Sequence, residues 1–61
     1  MFIKVTNKKN DVTVFINKSH ITTMVPHGNN GTTLGLLGIT APFEAAETIE
    51  NILDQMEQGW E

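Results

Sequence analysis

Two histidines, one serine and seven carboxylates are the side chains of this 61-residue chain that could move a proton, attack a substrate or hold a metal ion. Their placement speaks against all three. His20 and His27 lie on either side of a predicted strand, there is no cysteine, and a zinc site needs about four ligands at suitable spacing. No metal and no cofactor are expected. Ser19 has no base placed to activate it. Six of the carboxylates fall in the last 18 residues, but general acid–base work needs a carboxyl held in a cleft. A one-sign stripe along a helix is a solvated face, and no catalytic residue is expected.

The glycine-rich stretch TTMVPHGNNGTTLGLLG, residues 22–38, is the other place where chemistry could sit. A phosphate loop needs G-x-x-x-x-G-K-[ST], and no lysine follows Lys18. A dinucleotide loop needs G-x-G-x-x-G opening a helix, whereas Gly28, Gly31, Gly35 and Gly38 are differently spaced and precede strand-like residues. Pro26 stops one strand, and Asn30-Gly31 favours φ > 0 at consecutive residues, as tight turns between antiparallel strands require. The stretch reads as a hairpin tip, with a bulge or close approach at Gly35.

The elements around it follow from pattern. FIKVT (2–6) alternates Phe2, Lys4 and Thr6 against Ile3 and Val5, a half-buried strand. NKKND (7–11) is a hairpin loop, VTVFI (12–16) a second strand, and NKSH (17–20) a polar break with room for one helical turn. ITTMV (21–25) and TTLGLLG (32–38) are the third and fourth strands. Ile49, Ile52, Leu53 and Met56 form one apolar helix stripe, with Glu47, Glu50, Asp54, Glu57 and Glu61 running opposite. Gly59 suits the left-handed residue after the helix, which would fold Trp60 back on the last turn. Two starts are open: Thr40 capping a helix from Ala41, or a short fifth strand over PFEA (42–45) with Thr48 as N-cap. Composition tips slightly towards the longer helix. Phe2, Phe15, Phe43 and Trp60 read as core and end-cap residues.

Size and charge bound the function. Residues 1–61 make one domain, and a chain this short buries only about 60% of its unfolded surface, so something must add stability. Without cysteine, self-association is the route left, as a homodimer or larger. The interface is expected at Ile49, Ile52, Leu53, Met56 and Trp60. Four lysines against the single Asp11 give residues 1–31 a net charge of +3, while six carboxylates and no cation give residues 32–61 −6. Lys8, Lys9 and Lys18 on one side, and Glu47, Glu50, Asp54 and Glu57 on the other, are the candidate charged partner surface. With a pI near 5.1 and no arginine, the nucleic-acid footprint is weak. Lys4, Lys8, Lys9 and Lys18 make at best a small patch around the first hairpin, and nucleic acid is not an expected partner. No stretch approaches the ~20 apolar residues that span a bilayer. The chain reads as soluble and cytoplasmic, without membrane insertion.

Over most of its length the chain resembles the FlbD/SwrD-like small proteins associated with flagellar and swarming motility. Shared features are a β-hairpin, an Asn-led turn before an Ile-rich strand (Asn17, Ile21), a Gly-Thr strand start (Gly31-Thr32-Thr33) and a closing E-[ST]-[VI]-E-x-[VI] helix (Glu47-Thr48-Ile49-Glu50-Asn51-Ile52). It departs at LLGITAPF (36–43), where that family has a polar turn and then a short strand. A second, local resemblance joins GITAPFEAAETIENI to the end of the CsrA/RsmA RNA-binding regulators, through Gly38, Ile39, Ala41, Pro42, Glu44 and Ala46. Their RNA-binding arginines would fall at about Thr6 and Ile49, neither of them basic.

The expected architecture is α+β: a small antiparallel β-meander of four or five strands with one C-terminal amphipathic helix. The expected role is non-catalytic, a regulatory or adaptor protein acting through protein–protein contacts. A CsrA-like RNA-binding regulator is the alternative.

Overall fold

Residues 1–57 are described by a computed structural model. The alternation in the first strand is realised over β1 (Phe2–Thr6), which pairs antiparallel with β2 (Thr13–Asn17). Ile3 stands opposite Ile16 and Val5 opposite Val14, so these four share the inner face, while Phe2, Lys4 and Phe15 share the outer one. The connecting loop closes with Asp11 at φ 60°, a left-handed position that Asp tolerates. A single 3₁₀ turn, Lys18–His20, follows β2, and the Asn17 side chain caps it by accepting from the Ser19 N–H at 3.0 Å.

The rest of the β structure is a second, three-stranded sheet: β3 (Ile21–Pro26), β4 (Thr32–Leu36) and β5 (Ile39–Ala45), in that order and antiparallel. Pro26 ends β3 opposite Thr32. The β3–β4 loop differs from the expected tight turn. Gly28–Asn30 form a 3₁₀ turn, and the positive φ angles fall on Gly28 (62°) and Gly31 (101°), not on a consecutive Asn30-Gly31 pair. Gly31 is buried, and a Cβ there would land on the carbonyl oxygen of Ala45. The β4–β5 turn needs two residues, Leu37 and Gly38, with Gly38 at φ 78°.

The fifth strand corrects the longer-helix expectation. Residues 39–45 pair along β4, with Thr32 opposite Ala45, Thr33 opposite Glu44 and Leu34 opposite Phe43. A helix from Ala41 would leave the backbone groups of the buried Thr32 and Leu34 without partners, a cost that outweighs local propensity. Pro42 fits because the register slips between Leu34 and Leu36, where no ladder donor is required of it. The helix α1 (Ile49–Glu57) starts where the alternative placed it. Thr48 caps it, its hydroxyl accepting from the Asn51 N–H at 3.3 Å and its carbonyl from the Ile52 N–H at 3.1 Å. Gly59, Trp60 and Glu61 lie outside the described residues.

The two sheets join at one corner. Asn7 bridges Ala45, the Lys8 N–H donates to the Glu44 carbonyl at 2.8 Å, and the Ala46 N–H donates to the Thr6 carbonyl at 2.9 Å. Ile3, Val5, Leu34, Ala45 and Ile52 are fully enclosed between the sheets and α1, with Val14, Ile16, Ile21, Met24, Leu36, Phe43 and Met56 packed around them. No helix among the described residues is long and apolar enough to cross a membrane.

Two substitutions test this core. Ile52→Ala removes the helix's fully buried side chain and should cost about 2–5 kcal/mol in a denaturant melt; a loss under about 0.5 kcal/mol would show α1 undocked. Gly31→Ala should cost about 1–3 kcal/mol for its backbone angle alone, with the encounter with Ala45 added to it.

Candidate functional site

The polar side chains singled out from sequence are largely occupied inside the chain. β1 uses one edge for β2, so the backbone groups of Lys4 and Thr6 point away from the hairpin. Gln55 of α1 meets Lys4 as a further strand would: its Oε1 accepts from the Lys4 N–H at 2.7 Å, and its Nε2 donates to the Lys4 carbonyl at 2.9 Å. Glu47 meets Thr6, accepting from its N–H at 2.8 Å and from its hydroxyl at 3.0 Å. Glu47 therefore precedes α1, half-buried, and does not continue the helix stripe. Its carbonyl accepts from the hydroxyl of the buried Thr32 at 3.0 Å.

One group has the residue types of a hydrolase but a different wiring. His27 Nε2 lies 2.7 Å from Thr33 Oγ1, which donates to Glu44 Oε1 at 2.8 Å. The hydroxyl proton is committed to the carboxylate, so the imidazole must donate to Thr33. In a catalytic triad the imidazole takes the hydroxyl proton and the acid orients the imidazole. Here the chain stitches the β3–β4 loop to β4 and β5. Among the described residues, no three His, Asp or Glu side chains are grouped to hold a metal ion.

The charged partner surface divides. Lys8 donates its ammonium to the Asn30 carbonyl, tying the first hairpin to the β3–β4 loop. Lys18 lines one hollow with Glu50, Leu53, Asp54, Met56 and Glu57, so the last lysine of the sequence stands beside the acidic side of the helix. Lys9 is exposed at the hairpin tip. Of the expected interface residues, Ile52 is buried in the core, Met56 packs against that core and Ile49 is half-buried, while Leu53 is 48% exposed. Trp60 lies outside the described residues.

An apolar surface forms elsewhere. Phe2 from β1, Phe15 from β2, Leu37 from the β4–β5 turn and Ile39 from β5 come together around a hollow of about 360 Å³, floored by Ile16 and Leu36. They are 44%, 55%, 64% and 57% exposed. Phe2 and Phe15 are thus not core residues; of the three phenylalanines only Phe43 packs against the core. The alternation of Phe2 with Ile3 already put Phe2 on the face of Lys4 and Thr6. Leu37 and Ile39 could not be placed without the turn at Gly38.

Set against families of known proteins, curated proteins and solved structures, the chain matches none of them.

The two carboxamide and carboxylate contacts on β1 should separate in a denaturant melt. Glu47→Ala strands a partly enclosed N–H and should cost about 1–3 kcal/mol. Gln55→Ala opens exposed groups that water can satisfy, and should cost about 1 kcal/mol or less. Equal losses would show that the two contacts share one environment.

Proposed function

We propose that the protein is a small non-catalytic regulatory or adaptor protein that acts through protein–protein contacts. The observation that carries this reading is the gathering of Phe2, Phe15, Leu37 and Ile39 on one face. The largest apolar patch on a typical monomer is about 300–600 Å² and is often functional. Self-association belongs to the reading, because the chain has no cysteine and five hydrophobic side chains among the described residues are completely enclosed. A cytoplasmic place of action goes with it.

The resemblance to the FlbD/SwrD-like motility proteins adds support at the point where the sequence departs from that family. LLGITAPF folds as a two-residue turn followed by a strand, the order that family has there. The strand over residues 39–45 running into a C-terminal helix is equally the order of the CsrA/RsmA regulators, so what separates the RNA-binding reading is the missing arginines. Thr6, where the regulators would carry an arginine, is bonded to Glu47, and Ile49 is half-buried.

A photo-crosslinking amino acid at Leu37, expressed in the source cell, should yield protein adducts, whereas the same group at the exposed Asn29 should not. Absence of adducts from Leu37 overturns the reading. So does a retarded complex with a GGA-containing RNA hairpin at about micromolar protein, which would favour the RNA-binding alternative.

A further inference from the structure

Resting on that reading, we infer that the apolar hollow between the first hairpin and the β4–β5 turn binds a second copy of this chain about a two-fold axis, and that the helix face does not. Three observations carry the choice of occupant.

Charge comes first. The chain carries a net −3, and a two-fold contact sets each surface against its own image. Around Leu53 stand Glu50, Asp54 and Glu57, so pairing two helix faces would juxtapose six carboxylates against two lysines. Among the described residues, the hollow beside Leu37 is lined by apolar side chains with Asn17 and His20, and by no lysine or carboxylate. Lys4, opposite Phe15 in the hairpin, stands outside that lining as a rim charge. Two negatively charged copies can meet there with Lys4 at the rim and no charged side chain from the described lining at the centre.

Area comes second. At the exposures given above, Phe2, Phe15, Leu37 and Ile39 present about 400 Å² of side-chain surface. A standard interface covers about 800 Å² per partner, a little over half of it non-polar. The face therefore supplies about the apolar area that one side of such an interface needs.

Shape comes third. Leu37 is at the tip of a two-residue turn held by Gly38 and by the bond from the Leu37 N–H to the His20 carbonyl at 2.7 Å. A fixed apolar tip at the rim of an apolar hollow is self-complementary under a two-fold: the tip of each copy enters the hollow of the other.

The test is the mass of the full-length chain by sedimentation equilibrium, with circular dichroism checking that each variant is folded. At about 100 µM the wild type should have twice the 6.8 kDa chain mass. Leu37→Asp, at an exposed turn position, should weaken association at least about 100-fold, and Phe2→Lys should do the same through a different strand. Leu53→Asp, on the helix, should leave the dimer intact. A wild-type dimer that dissociates with Leu53→Asp and survives Leu37→Asp and Phe2→Lys overturns the inference while leaving self-association standing. A wild type monomeric at about 1 mM overturns the inference and self-association together, yet leaves any other protein crosslinked at Leu37 as evidence for the adaptor reading.

Discussion

The outer edge of β1 is the constraint on which the remaining structure depends. A strand paired on one side only presents its alternate N–H and C=O groups to whatever lies beyond, and enclosed groups must find partners. Among the described residues, the partners of Lys4, Thr6 and the following Lys8 come from the stretch between Glu44 and Gln55. Glu44 receives the Lys8 N–H, Ala46 supplies the Thr6 carbonyl, Glu47 takes the Thr6 N–H, and Gln55 satisfies both groups of Lys4. Backbone pairing gives way to side-chain pairing along a single edge. That hand-over fixes where α1 lies, and with it the seating of Ile52 among Ile3, Val5, Leu34 and Ala45.

The same edge sets the surface. Because the end of β5 is tied to the end of β1, the beginning of β5 and the turn before it are carried to the opposite end of the hairpin, beside Phe2, Phe15 and Asn17. The apolar face is therefore a product of long-range pairing. Leu37 and Ile39 flank a glycine turn in sequence, and nothing local to them names Phe2 and Phe15 as neighbours.

This separates what the sequence could tell from what it could not. Period-two alternation located β1, and turn residues located the breaks at 7–11 and 17–20, since each of these signals lies within a few residues. The cap at Thr48 was readable as one of two starts. The choice between them was not local, because Ala41, Ala45 and Ala46 favour helix by propensity while β4 requires a partner across residues 39–45. Glu47 was misplaced for the same reason. Its spacing from Glu50 and Asp54 fits a helix stripe, and only the position of Thr6, 41 residues away, gives it a different task.

The charge asymmetry of the sequence also changes meaning once folded. A net +3 in the first half and −6 in the second suggest two surfaces of opposite sign awaiting partners. The fold instead brings Lys18 of the basic half to one hollow with Glu50, Asp54 and Glu57 of the acidic half, while Lys8 bonds within its own half to the Asn30 carbonyl. Exposed charge pairs contribute about 0–1 kcal/mol each and are screened by salt, so this juxtaposition adds little to stability. Its consequence is for recognition. With Lys8 bonded to Asn30 and Lys18 beside the helix, the described residues that line the face of Phe2, Phe15, Leu37 and Ile39 include no lysine or carboxylate. Apolar burial there, and not the sequence's division of charge, has the magnitude to hold a partner.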